Sequence, residues 1–411
     1  MRILFYSGVR QKAHDFNRGM NGVNLLSNYE YCFVMLKTFR YRLYPTKVQQ
    51  TKINSTLESL RWVYNETLAV RKNSWEQEHK SISLFKTNKL LTCWKKEHLE
   101  LNSIFSQVLQ DAQVRVDLAF KSFFRRVKAG QQEAGFPRFK GHGRYDSLTY
   151  TQFGFKLKGN ILSLAKIGDI KIKLHRPVEG KMRRVTVRKA STGKMYVSFI
   201  VEVENKPLSF KDGAVVGVDV GLESFATLSN GEKIPNPRFF RNEEAELAKA
   251  QRKMSAEKKG SIVWRRRLGV VQRVHERIGN KRNNFVHQES RKLVDRFGVI
   301  AFENLNVKGM MQNGNLAKSI GDAGWSMFVN TARYKAEEAG SKIVLVNPNG
   351  TSQICSRCGL VVKKDLSERT HRCECGLEID RDLNAAINIL RLGLQSLGLN
   401  TVEAHDLQSW E

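Results

Sequence analysis

Four cysteines near the C-terminal end constrain this chain more than any other feature. Cys355 and Cys358 form one knuckle, CSRC, and Cys373 and Cys375 form a second, CEC, each followed by a glycine (Gly359 and Gly376). Four thiolates at this spacing can converge on one ion, and they satisfy tetrahedral Zn²⁺ without leaving an open position. The expected ion is therefore a structural zinc. Cys32 and Cys93 stand alone, and in a reducing compartment a cluster of this kind reads as a metal site rather than a disulfide framework. His371, beside the second knuckle, is surplus to a four-cysteine set and reads as a loop residue or a nucleic-acid contact. Any fold for this chain must accommodate a small ion-closed loop between the apolar run KIVLVNP and the helical run RDLNAAINILRLGL.

The charge narrows the class of partner. The chain has 411 residues, with 69 Lys and Arg against 40 Asp and Glu, a formal net charge of +29. Such an excess is self-repelling unless a polyanion neutralises it. The basic residues are spread over several segments rather than gathered beside one apolar anchor, which favours nucleic acid over an anionic membrane surface. No run approaches the roughly 18 apolar residues of a membrane span, and the N-terminus lacks the pattern of a signal peptide. The expected location is the cytoplasm, in association with the nucleoid. The length suggests two to four domains.

Periodicity divides the chain. Residues 1–34 are weakly patterned and precede a second methionine, Met35; they read as a leader that is disordered or wrongly assigned to the protein. MLKTFRYRLY reads as a strand with alternating basic residues (Lys37, Arg40, Arg42), closed by Pro45, and Thr46 is a helix N-cap. Residues 46–130 carry apolar stripes at helical spacing, Ile53, Leu57, Leu60, Val63, Tyr64 and Leu68, then Val114, Leu118, Phe120 and Phe124, all expected in a core. From 136 to 210 the period changes to short alternating runs (SLTYTQF, GFKLKGN, ILSLAKIG, DIKIKLHR, VTVRKA, KMYVSFIVEV), the pattern of an antiparallel barrel or sheet. AVVGVDVGLESFATLSNG then reads as the opening hairpin of a mixed α/β sheet. A very basic helical stretch (240–297), the buried-strand run GVIAFENL, a helix, the strand KIVLVNP and the final helix follow.

Two of the apolar runs end in an acid. Asp219 closes VVGVDVG and Glu303 closes VIAFEN, while Asp382 opens the last helix. A carboxylate in such a setting is costly to bury unless it is paired, hydrogen-bonded or cation-bound. Converging carboxylates suit hard ions such as Mg²⁺ or Mn²⁺, and two ions about 3.5–4 Å apart can activate water and stabilise the leaving oxygen of a phosphodiester. Taken singly, each acid has an ordinary reading: Asp219 as a turn aspartate, Glu303 as a surface strand end, Asp382 as an N-cap. Among basic and polar residues, Arg265, Arg266 and Arg267 are candidate phosphate contacts, and Gln110, Lys121 and Arg125 share a face of the helical region; a solvated charge run is the competing reading.

The blocks GVDVGLESFATLSNG, FENLNVKGM, TSQICSRCG with CECG, and DRDLNAAINIL occur in the order found in the TnpB family, which is encoded by bacterial and archaeal insertion sequences and related to the type V CRISPR effectors. FRYRLYPTKVQQ, RWVYNETL and GFPRFK extend the resemblance from about Met35 to about Leu394. It implies a multidomain α/β plus β-barrel protein, with an RNase H-like (RuvC) nuclease at 212–350 and 379–394 and an inserted zinc ribbon at 351–378 that binds target nucleic acid. A wedge β-barrel is implied at 35–45 and 136–211, a helical recognition lobe at 46–135 and a tail at 395–411. The family's catalytic acids match Asp219, Glu303 and Asp382, with Asp380 the weaker candidate for the third. The implied activity is RNA-guided DNA endonuclease, cutting next to a short transposon-adjacent motif with Mg²⁺ or Mn²⁺. The implied partners are a guide RNA from the element end and double-stranded target DNA, with no membrane and a monomeric protein–RNA complex. The alternatives are a transposase or recombinase performing strand transfer, and an RNA-guided DNA-binding repressor.

Overall fold

A computed structural model describes residues 33–131, 133–205, 214–365 and 368–399. The leader up to residue 32 and the tail from residue 400 lie outside the described residues. The first strand, β1 (Phe33–Tyr44), is paired with its neighbour from Phe33 onward.

Thr46 caps α1 (Lys47–Glu78) as expected. Its hydroxyl accepts from the Gln49 N–H while the Gln49 side chain accepts from the Thr46 N–H, so the helix starts directly behind Pro45. α1 packs on α2 (Leu84–Glu97) and α3 (Ser106–Lys128) through Ile53, Leu57, Leu60, Val63, Tyr64 and Leu68. One expected stripe is corrected here. α3 buries Val108, Leu109, Ala112, Val116 and Phe120, whereas Leu118 and Phe124 are exposed, at 48% and 54%. Leu118 lies two residues from both Val116 and Phe120, on the far side of the helix, and Phe124, one turn past Phe120, stacks on its ring beyond the end of the buried seam.

The six alternating runs become β2 (Ser147–Tyr150), β3 (Phe155–Lys158), β4 (Ile161–Leu164), β5 (Gly168–Lys173), β6 (Lys181–Lys189) and β7 (Met195–Asn205). Together with β1 they form one antiparallel sheet in the order β2-β6-β7-β1-β5-β4-β3. A four-residue loop joins the edge strands β2 and β3, so the sheet curls almost closed around Tyr41, Tyr150, Phe199 and the valines of β7.

The second sheet has the order β10-β9-β8-β11-β12, from β8 (Ala214–Val220), β9 (Ser224–Leu228), β10 (Lys233–Pro235), β11 (Phe297–Glu303) and β12 (Lys342–Val346). The first three strands are antiparallel; β8, β11 and β12 run parallel. Parallel strands need covering on both faces. One face, through Val216, Val218, Ile300 and Phe302, packs on α5 (Ile262–Arg296) and α8 (Trp325–Ala339), with α4 (Phe239–Ser255) outside them. The other, through Val215, Val299, Ala301, Val344 and Val346, packs on the last helix, Arg381–Ser396. This is the RNase H-like architecture that the family resemblance implied. Two short helices, α6 (Val307–Met310) and α7 (Ala317–Ala323), link β11 to α8, and the final helix is α9. The barrel hairpin is tied to α5: Thr192, Lys194 and Tyr196 all donate to the Glu276 carboxylate, at 3.1, 2.8 and 3.4 Å. No helix among the described residues is long and apolar enough to cross a membrane.

Candidate active site and metal centre

Strand alternation decides where the acids go. Side chains of adjacent residues leave a strand on opposite faces. On β8, Val216 and Val218 face α5 and α8, so Val215, Gly217 and Asp219 belong to the α9 face. The same count on β11 puts Glu303 on that face with Val299 and Ala301. Val218 pairs with Phe302 across the two parallel strands, so Asp219 and Glu303 follow side by side at their carboxyl ends.

α9 brings the third acid. It lies so close to β8 that a Cβ at Gly217 would meet the Ala386 carbonyl at 2.1 Å and the Leu390 nitrogen at 2.6 Å. Further along, Gly393 does the same for Ala301 at 2.6 Å. Only hydrogen fits at these two crossings. Asp382 lies one turn ahead of Ala386, which sets it over the end of β8. Asp380 is the N-cap instead: one oxygen accepts from the N–H groups of Asp382 and Leu383 at 2.9 and 3.0 Å, and the other from Lys233 Nζ at 2.8 Å. The capping reading considered for Asp382 therefore passes to Asp380.

The electrostatics separate the two aspartates. Burial, and then the charges of Glu303 and Asp382, hold the Asp219 carboxyl well above the usual range, with Asp380 adding and Arg381 opposing. Burial also raises Glu303, against the Thr351 hydrogen bond, and burial together with Asp380 raises Asp382. Burial pushes Asp380 up as well, but Lys233 and the two helix N–H groups outweigh it and hold it below the ordinary value. Three half-buried carboxyls, all raised by burial and one of them, Asp219, also by the other two, form a cluster that a divalent cation would relieve. Among the described residues the cysteines bring four ligand atoms within 4.8 Å of one another.

Cys355, Cys358, Cys373 and Cys375 supply that tight set, with Sγ separations of 3.7 Å (Cys355–Cys375) and 3.5 Å (Cys358–Cys373). Thiolates about 2.3 Å from zinc lie about 3.8 Å apart in a tetrahedron, so the spacing suits zinc. Burial opposes ionisation of Cys355, yet the N–H groups of Cys358 and Arg357 hold its thiol below the ordinary range, towards the ligand form. A two-stranded ribbon, β13 (Thr370–Arg372) and β14 (Glu378–Asp380), carries the second knuckle. His371 is wholly buried on β13, bonded to Lys364 and turned towards Cys355. Both expected readings, loop residue or nucleic-acid contact, are corrected: it lies on a strand and packs behind the cysteine site.

The remaining candidates lie apart from both groups. Arg265 and Arg266 are exposed on α5, while Arg267 pairs with Glu257 at 3.0 Å. Gln110, Lys121 and Arg125 are exposed on α3, Lys121 pairing with Asp117 at 3.0 Å. A cavity of about 260 Å³ opens beside Glu303, lined by Asn304, Trp325, Ser326, Asn330 and Arg333. A larger one of about 700 Å³, between α1, the barrel and α5, shares no lining residue with the acids. Thr351, Asn384 and Asn388 escaped the sequence reading. Their signal was their place in the blocks TSQICSRCG and DRDLNAAINIL, beside the first knuckle and Asp382.

This sheet, with three acids at one edge and a four-cysteine ribbon inserted between β12 and α9, defines a RuvC-type protein. A family model described as “Probable transposase” (OrfB_IS605) matches residues 198–314, and a Cas12f1-like TNB domain model matches residues 325–389. A helix-turn-helix model of the same group matches 35–80, although the structure there is a strand and one unbroken helix. A relative in Streptomyces pristinaespiralis, named as an RNA-guided DNA endonuclease, is 36% identical over 366 residues, 87% of this chain and 89% of that protein. InsQ of Escherichia coli (strain K12), similarly named, is 31% identical over 379 residues, 87% and 92%. The chain belongs to the TnpB family. The Cas12f1 protein of a Cas12f1–sgRNA–target DNA complex shares the fold, with a TM-score of 0.54 at 13% identity over 87% of this chain and 98% of that one.

Proposed function

We propose that the protein is an RNA-guided DNA endonuclease of a transposable element. In this reading Asp219, Glu303 and Asp382 are its catalytic acids, and Cys355, Cys358, Cys373 and Cys375 hold a structural zinc. The observation that carries the proposal is the placement of Asp219 and Glu303 on adjacent parallel strand ends under the first turn of α9. Divalent ions held there, Mg²⁺ or Mn²⁺, would supply Lewis-acid stabilisation of the leaving oxygen and an activated water. The chain's own part is to fix the three carboxylates, to keep Lys233 engaged on Asp380, and to present Asn330 and Arg333 beside Glu303 as donors for a phosphate. Pairing of the target strand with a guide RNA supplies sequence choice, while the protein reads shape, charge and a short adjacent motif. The net charge of +29 suits an RNA–DNA cargo. The nuclease, ribbon, barrel and helical-lobe boundaries given above, and the RNA and DNA contacts of Arg265, Arg266, Arg267, Gln110, Lys121 and Arg125, belong to the same proposal.

The test is cleavage of a plasmid bearing a target that matches the RNA co-purified with the protein. Wild type is expected to cut in Mg²⁺, and Asp219→Ala to bind the plasmid without cutting. Cutting by Asp219→Ala would sink the catalytic assignment. A requirement for element ends would favour strand transfer instead.

A further inference from the structure

We infer that Thr351 is a positioning residue for Glu303, held in place by an amide pair on α9 that joins the acid site to the first cysteine knuckle. The inference rests on the proposed metal-dependent chemistry. Thr351 is 3% exposed, and its hydroxyl donates to Glu303 Oε1; the Pro348 carbonyl, at 3.3 Å, is a more distant second acceptor. A carboxylate that must hold an ion needs its free oxygen aimed, and fixing the other oxygen does that.

Thr351 is itself fixed. Its carbonyl accepts from Asn388 Nδ2 at 2.9 Å, and the same amide group donates to the Ile354 carbonyl at 2.6 Å. Arg391 donates to Asn388 Oδ1 at 3.0 Å. Asn384, one turn earlier, donates to the same Ile354 carbonyl at 2.8 Å and accepts from the Ser356 N–H at 2.9 Å. Both amides are buried, at 0% and 1% exposure, where an unsatisfied polar group is expensive. Ser356 lies inside the knuckle, between Cys355 and Cys358. One hydrogen-bonded chain thus runs from the sulfur ligands through Asn384, Ile354, Asn388 and Thr351 to Glu303. The helix that carries the amides also carries Asp382, so two of the three acids share one support.

The experiment uses the full-length, zinc-loaded protein and reads Mn²⁺ binding by electron paramagnetic resonance, alongside cleavage as a function of Mg²⁺. Thr351→Val keeps the volume and removes the hydroxyl; Thr351→Ser keeps the hydroxyl and loses the methyl. Thr351→Val is expected to weaken Mn²⁺ binding about tenfold, within the range for losing an outer partner of a metal ligand, and Thr351→Ser to bind like wild type. Affinity is expressed per zinc-loaded molecule, so a fall in zinc occupancy does not obscure the order. Wild-type affinity in Thr351→Val, or a Thr351→Ser variant as weak as Thr351→Val, overturns the inference. Glu303→Gln separates the two levels. If it leaves Mn²⁺ binding intact, the metal-site reading itself fails; if it abolishes binding while Thr351→Val does not, only the role of Thr351 fails.

Discussion

The cysteine site and the acid site sit at opposite ends of one short hydrogen-bonded chain and are built on opposite principles. Four sulfurs lie within 4.8 Å of one another, a closed set with no room for a reactant. The three carboxyls are spread over two strand ends and a helix, half-buried, with Glu303 and Asp382 both pressing on Asp219. The closed set exchanges reactivity for rigidity; the open one holds repulsion that a bound cation or a retained proton relieves. A mutation should therefore act differently at each site, on folding at the sulfurs and on chemistry at the acids.

The largest expected effect tests the second half of that contrast. Asp219→Ala should lower cleavage beyond the roughly 100-fold that marks loss of an outer partner, while zinc content and melting temperature stay near wild type. A large drop in melting temperature would show the acid to be structural and break the contrast. Next comes Cys358→Ser, which should release zinc and loosen the 355–380 segment, because apparent zinc binding energies of about 10–16 kcal/mol in small sites are largely folding energy. Metal analysis and limited proteolysis check it, and cleavage should fall only as the ribbon unravels. Unchanged proteolysis after zinc loss would contradict the structural role.

Gly217→Ala should destabilise the nuclease domain by about 1–3 kcal/mol, since the added methyl meets the backbone of Ala386 and Leu390, which cannot rotate away. Denaturant unfolding reads this, and wild-type stability would mean that α9 can lift from β8.

The smallest effect sharpens the electrostatic side. Asp219, Glu303 and Asp382 titrate above their ordinary range when folded. The folded state therefore keeps protons that the unfolded chain has released. Their contribution to stability falls as pH rises from about 4, the ordinary carboxylate value, through the raised ones. Asp380, held low, runs the other way: it contributes above the ordinary value, and that contribution is lost as pH falls. Thermal melts in EDTA-treated, zinc-retaining protein should show a shallower loss with pH in Asp219→Asn, and added Mg²⁺ should stabilise wild type more at pH 8 than at pH 5. Equal Mg²⁺ stabilisation at both pH values would argue against an ion among these acids.

Much of this was legible because it rests on patterns with one reading. β8 and β11 are buried on both faces, so their apolar runs are continuous and the terminal acids stand out. Pro45 followed by Thr46 signals a helix start from local sequence alone. Leu118 and Phe124 misled because apolar residues are common on surfaces, and the seam of α3 is set by partners that the local sequence does not name. Asn384, Asn388 and Thr351 look like ordinary polar residues. Their importance comes from contacts 30 to 50 positions away in sequence, such as Asn384 to Ile354 and Thr351 to Glu303. The family motif ranks Asp382 above Asp380, and the physical reason, the capping bonds and Lys233 that engage Asp380, lies in three-dimensional contacts.

The bare crossing at Gly217 has a consequence for tolerance. Where main chain rests on main chain, the gap between Asp219 and Asp382 is set by covalent geometry rather than by the sizes of intervening side chains. Core residues elsewhere in the sheet can drift over time without changing that gap, so the chain can diverge widely while the reacting edge keeps its dimensions.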